Sequence, residues 1–139
     1  MLNCDEFFGF ENNEYVATGL GFGSIAHAKA INMMLNEYAS FLDGKSDVIT
    51  CPQLNSNALD KLGLVRDGQY QNLNNTIIYP VSVMNPYDSV TGTLNKTKET
   101  ISIHWYSASW LSKGKRHRLM FTRPMRRIFG VNVFERFKK

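Results

Sequence analysis

The sequence predicts a mixed α/β fold, a small sheet with helices packed against it. Three observations point there. Short apolar stretches with period-two alternation stand near both ends of the first 112 residues. Between them lie two segments whose apolar residues recur at three- and four-residue spacing, the helical signature. The 139 residues are enough for one domain with one core, and no apolar run approaches the roughly 20 residues that cross a bilayer.

Taken in order, "DEFFGFENNEYVATGLGFG" brings Phe8 and Phe10, then Tyr15 and Val16, with Asn12 and Asn13 between. This predicts two short strands joined by a turn at the asparagines. Gly19, Gly21 and Gly23 follow at spacing two, without the order or the Lys-Ser/Thr ending of a phosphate loop, so tight backbone packing is expected there. Ser24 is a good N-cap for a helix over residues 26 to 42. Ile31, Met34, Leu35, Tyr38, Phe41 and Leu42 would form its apolar face, and Gly44 would close it. A shorter helix fits "PQLNSNALDKLGL", with Pro52 in its first turn, Leu54, Ala58 and Leu62 on one face and Gly63 at its end. "NNTIIYPVSVMNP" reads as short or edge strands limited by Pro80 and Pro86, and "DSVTGTLNKTKE" as a polar loop. In "TISIHWY" the alternation predicts a half-buried strand over 100 to 105, with Ile101, Ile103 and Trp105 inward and His104 on the other face.

Charge divides the chain unevenly. Of 16 Lys and Arg, 10 fall in residues 113–139 beside one acid, Glu135; residues 1–112 hold the other six cations and 11 of the 12 acids. The organisation expected is a folded part, 1–112, and a basic, aromatic-rich extension, 113–139, that asks for an anionic partner. Two cysteines, Cys4 and Cys51, make no metal cluster or disulfide framework, and free thiols in a reducing cytosol are the plain expectation. The start, "MLNCDEFFGF", is acidic and lacks the apolar length of a signal peptide.

The stretches "FFGFENNEYVATGLGFGS", "LNEYASF", "ITCPQL", "TIIYPVSVMNP" and "SIHWYSASW", in that order over most of residues 5 to 112, resemble the C-terminal half of the DXD-type glycosyltransferases. That family (family 32-like) includes yeast mannosyltransferases and bacterial capsule and cell-wall polysaccharide enzymes. The most specific match is His104, Ser109 and Trp110. The resemblance implies the acceptor-side part of a GT-A fold and transfer of a sugar from a nucleotide-sugar to a saccharide or lipid-linked acceptor, with Mn²⁺ or Mg²⁺. It implies a cytoplasmic location, peripheral at the inner face of the membrane. The departure is large: no Asp-x-Asp occurs in the sequence. The expectation is a fragment lacking the nucleotide-binding half, and inactive alone.

By the resemblance, His104 would be a metal ligand, and Ser109 and Trp110 would donate to the donor's diphosphate. A neutral imidazole can ligate Mn²⁺, but one His cannot hold the ion. The alternative for His104 is an ordinary strand histidine with a hydrogen-bond partner. Glu11 is a candidate catalytic carboxylate that would orient an acceptor hydroxyl, against a solvated strand end. Trp105 is expected in the core. The extension suits an anionic membrane surface first; nucleic acid ranks below it, and docking of its apolar residues on the domain is the alternative. Three classes stay open: a glycosyltransferase, a non-catalytic carbohydrate-binding module, and a basic membrane-surface-binding module.

Overall fold

The computed structural model describes residues 3–39, 42, 44, 49–106 and 111–134. A four-stranded mixed sheet is built from β1 (Glu6–Gly9), β2 (Gly23–Ser24), β3 (Gln71–Leu73) and β4 (Thr76–Tyr79), in the order β2-β1-β4-β3. The helices α1 (Lys29–Ala39) and α2 (Cys51–Asp60) pack on each other. A short helix α3 (Val81–Met84), a two-stranded ribbon β5 (Tyr87–Asp88) and β6 (Thr93–Leu94), and the long α4 (Lys113–Phe129) complete the order. The mixed α/β class is as the sequence predicts.

β1 and β4 lie parallel at the centre, with Glu6 opposite Thr76 and Gly9 opposite Tyr79. β3 and β4 form a hairpin whose two turn residues, Asn74 and Asn75, both take positive φ, the geometry that matches strand twist. Of the short or edge strands expected here, β4 is short but interior, and Val81–Met84 forms a helix in place of a strand. Pro80 stands one residue beyond β4, where its missing N–H costs no ladder bond, and it caps α3 instead. The core sits where Phe8, Phe10 and Ile78 of the sheet meet Met34 of α1 and Leu59 of α2. Burying each such side chain stabilises the fold by about 1.5–3 kcal/mol. Gly9 is required here: a Cβ would run into the side chain of Met84.

Between β1 and α1 the expected second strand shrinks to a single bridge, Phe10 with Val16. Asn12 does make the turn, its Oδ1 accepting from the N–H groups of Glu14 (2.8 Å) and Tyr15 (2.9 Å). The packing expected of the glycines is met at Gly23, where the Phe7 ring leaves no room for a Cβ.

α1 starts later than its sequence suggests, at Lys29. Ser24 does not cap it: that residue pairs with Glu6 in β2, and its hydroxyl donates to the Ile25 carbonyl. The cap is Glu6 itself. Its carboxylate accepts from Ala30 N (2.8 Å) and Ile31 N (3.1 Å), and also from the Thr76 hydroxyl (2.8 Å). Glu6 is 2% exposed, so these three donors replace water for a buried charge. The described part of α1 ends at Ala39; Met34 is buried, Ile31 and Tyr38 half-buried, and Leu35 and Leu42 exposed. Phe41 lies outside the described residues. α2 follows its sequence closely, with Pro52 in the first turn and Leu54 and Ala58 buried. Cys51 and Cys4 are free thiols.

The strand expected over 100 to 105 does not form. Residues 101–106 belong to no strand or helix. The N–H groups of Ile101 and Ser102 both reach the Val83 carbonyl (2.9 and 3.3 Å), and the Ser102 hydroxyl donates to Leu20 O at 2.9 Å. The segment is tied to α3 instead of to a sheet edge. The predicted burial does not hold at its ends: Ile101 (72%) and Trp105 (57%) are exposed, while Ser102, Ile103 and His104 are all half-buried. Trp105 is not a core residue.

Glu6→Ala should lower stability by about 3 kcal/mol, because it leaves buried donors without an acceptor. Ser24→Ala should change it by less than about 0.5 kcal/mol. Urea unfolding of the two variants checks this; a larger loss at Ser24 would return the cap to the local signal.

Candidate functional site

The parallel pair β1 and β4 ends at Gly9 and Tyr79. Phe10 N then bonds to Tyr79 O at 3.0 Å, so both chains leave the sheet side by side. The first leads to Glu11 and the Asn12 turn, the second through α3 to Asn85. The space outside the carboxyl ends of parallel strands is where open α/β sheets place ligands. Here it is a cleft of about 710 Å³.

Three side chains converge at its base. The Tyr106 hydroxyl donates to Glu11 Oε1 at 2.8 Å. The amide Nδ2 of Asn85, a residue 3% exposed, donates to the Tyr106 oxygen at 2.7 Å and to the Glu11 carbonyl at 2.8 Å. Tyr106 takes φ 45, a left-handed conformation that is uncommon for an aromatic residue. Its ring lies against the His104 ring, with centroids 4.2 Å apart and planes at 31°. Burial first, then the hydrogen bond to Glu11 and that carboxylate's charge, push the Tyr106 phenol well above the usual tyrosine range. It is thus held protonated as a fixed donor that aims the Glu11 carboxylate.

Two polar atoms beside this triad, Asn85 Oδ1 and His104 Nδ1, are buried with no hydrogen-bond partner among the described residues. Such atoms are costly and uncommon in a folded protein. Tyr87 and Asp88 line the same cleft, as do Asn13 and Glu14. Among the described residues, three carboxylates, Glu11, Glu14 and Asp88, and no Lys or Arg line it.

Of the residues that the sequence singles out, the structure brings Glu11 and His104 to one network through Tyr106. Ser109 and Trp110 lie outside the described residues. Asn85, Tyr87 and Tyr106 were missed. For Tyr106 a signal existed: it follows His104 by two, so in extended chain both point the same way. Asn85 carried none, because its partner Glu11 is 74 positions away.

His104 Nδ1 could serve as one nitrogen ligand, but no group of three His, Cys, Asp or Glu that could hold an ion occurs among the described residues. A hard divalent cation needs more oxygen ligands than this, so the described residues do not form a site for Mn²⁺ or Mg²⁺ on their own. The chain matches no family model, no curated protein and no solved structure. The chemistry must therefore be argued from the cleft.

A phenol with a raised pKa binds its proton more tightly in the folded state than in the unfolded one, whose value is near 10.0. Its stabilising contribution is complete below that pH and is lost as pH rises beyond it. Tyr106→Phe should therefore flatten the alkaline loss of stability. In a titration of phenolate absorbance, the component it removes should be one that ionises above the ordinary tyrosines. Removal of an ordinary component instead would mean the phenol is not held.

Proposed function

We propose that this chain is the acceptor-side part of a GT-A-like glycosyltransferase, and that the cleft outside β1 and β4 holds the hydroxyl-bearing acceptor. The cleft itself carries the reading. Its volume is within the range of small-molecule sites, roughly 300–1,000 Å³. Its lining joins amides and carboxylates, which accept and donate to sugar hydroxyls, with the rings of Tyr87 and Tyr106. Three carboxylates without a Lys or Arg repel a diphosphate and suit a neutral polyhydroxylated ligand.

In this reading Glu11, aimed by Tyr106, orients the acceptor hydroxyl and takes its proton as that oxygen bonds the donor sugar's anomeric carbon, the bond from this carbon to the diphosphate oxygen breaks and the nucleoside diphosphate leaves. His104, with Nδ1 unpartnered, stands at the rear of the same network. The nucleotide-sugar donor and the Mn²⁺ or Mg²⁺ that neutralises its diphosphate would depend on an Asp-x-Asp carboxylate pair, which this sequence lacks. Transfer would run on the cytoplasmic side, where nucleotide-sugars are made. Ser109 and Trp110 keep their proposed role towards the diphosphate by resemblance alone. If the cleft binds saccharide and no joined protein turns over, the chain is a carbohydrate-binding module.

The test is NMR titration of the full chain with a panel of methyl glycosides, and separately with UDP-glucose and GDP-mannose in the presence of Mn²⁺. Glycosides should shift the side-chain amide resonances of Asn12, Asn13 and Asn85, which line this cleft and not the one under α4, and the nucleotide-sugars should do so weakly or not at all. Glu11→Gln should weaken glycoside binding about tenfold, the equivalent of one charge-assisted hydrogen bond. The chain alone should transfer no sugar. Fused to a DXD-bearing nucleotide-binding half, it should do so in a manner that Glu11→Gln abolishes. Absence of any response to the glycosides would refute the reading.

A further inference from the structure

A surface helix ordinarily turns its apolar stripe to the core and its charges to water; α4 does the reverse. None of its residues is buried. Its half-buried positions are Leu119, Thr122, Arg123 and Arg126, three of them polar. The attachment to the body is polar as well: Arg123 Nε donates to Ser89 O at 3.0 Å, and its guanidinium lies 5.7 Å from the centre of the Tyr87 ring. At about 3.6 residues per turn, Phe121, Met125 and Ile128 form one stripe with Phe129 at its margin. That stripe faces solvent, with Phe121 at 78%, Ile128 at 71% and Phe129 at 62% exposed.

The helix carries seven Lys and Arg and no acid. At that pitch Arg118 falls within the width of the stripe and Lys113 and Lys115 about a quarter-turn to either side of it, while Arg116 and Arg127 are exposed farther round the helix. Near the first turns, Lys113, Arg116 and His117 also line a cleft of about 420 Å³ together with Trp105. The tryptophan is more than half exposed there.

We propose that α4 is an interfacial helix that seats the protein on an anionic lipid bilayer. Phe121, Met125, Ile128 and Phe129 enter the boundary between headgroups and acyl chains, and the flanking cations meet lipid phosphates. Both halves of the pattern are then satisfied at once. A nucleic acid would use the cations and leave the stripe in water. A second copy of the helix would cover the stripe but bring two sets of unopposed cations together. Among the described residues no helix is long and apolar enough to cross a membrane, so α4 lies along the surface. The stems of Arg118 and Lys115 are long enough to place their charges at headgroup level from the helix sides. This proposal stands independently of which ligand the cleft at Glu11 takes.

Co-sedimentation of the full chain with vesicles tests it. The chain should bind vesicles of mixed phosphatidylserine and phosphatidylcholine at low salt, ignore phosphatidylcholine alone, and be released by high salt. Phe121→Ser with Ile128→Ser should weaken binding at least about tenfold, each side chain losing its buried apolar area. Lys113→Gln with Arg118→Gln should weaken it roughly twenty-five-fold, about fivefold for each cation. All four side chains are exposed, and unchanged circular dichroism would show that the variants fold. Failure to bind the anionic vesicles overturns the proposal. So does binding to a duplex oligonucleotide in preference to vesicles, untouched by the apolar pair. Self-association in analytical ultracentrifugation that the apolar pair abolishes would assign the stripe to a second copy instead.

Discussion

Burying one carboxylate fixes most of the architecture. At 2% exposure the Glu6 carboxylate needs fixed donors in place of water. The donors it finds belong to two other elements: two N–H groups of the first turn of α1 and the hydroxyl of Thr76. The helix end is also the favourable pole of the peptide dipoles for a negative charge. One side chain thus anchors α1 to β1 and holds β4 in the register that puts Thr76 opposite Glu6. Once that register is set, Gly9 and Tyr79 end level, and the segments carrying Glu11 and Asn85 emerge together. The cleft follows from a bond about one strand-length away, which is why a change at Glu6 would be felt at a site it does not touch.

The same bond explains what the sequence reveals and what it hides. α2 was legible because its signals are local: Pro52 in the first turn and Leu54 and Ala58 on one face. The start of α1 was misread because Ser24 has the right chemistry at the right spacing, while the real cap lies 24 positions back in a strand. Alternation in "TISIHWY" gave the period of extended chain correctly but not its partner. With its N–H groups bound to the Val83 carbonyl, the segment presents His104 inward and Trp105 outward. Glu11 and His104 could be singled out from sequence; that they share a network could not, since Tyr106 and Asn85 join them across 95 and 74 positions from Glu11.

Electrostatics separates two surfaces that share a wall. The cleft at Glu11 is lined by three carboxylates, and the cleft under α4 by Lys113, Arg116, His117 and Arg123. Tyr106 lines both. Tyr87, on the acidic side, lies 6.5 Å from the Tyr106 ring and carries the Arg123 guanidinium. Aromatic rings suit this position: they pack against a cation on one face and border a polar cleft on the other without adding charge to either.

This change of sign has a consequence for what can bind where. A diphosphate is repelled by the Glu11 cleft and attracted to the α4 cleft, whereas sugar hydroxyls are accommodated in the first without any charge to neutralise. A ligand with a neutral hydroxylated end and an anionic end would therefore lie across Tyr106 in one orientation only. If α4 rests on a bilayer, the anionic end comes from the lipid side and the hydroxyls point to Glu11. Orientation of an acceptor in this scheme needs no metal, because Tyr106 already fixes the carboxylate and Asn85 holds Tyr106 and the Glu11 backbone. Stabilising a departing nucleoside diphosphate does need concentrated positive charge, and among the described residues no Lys or Arg lines the Glu11 cleft. In the proposed reading the residues gathered here present a hydroxyl, and the charge chemistry of the donor would belong to groups outside that cleft.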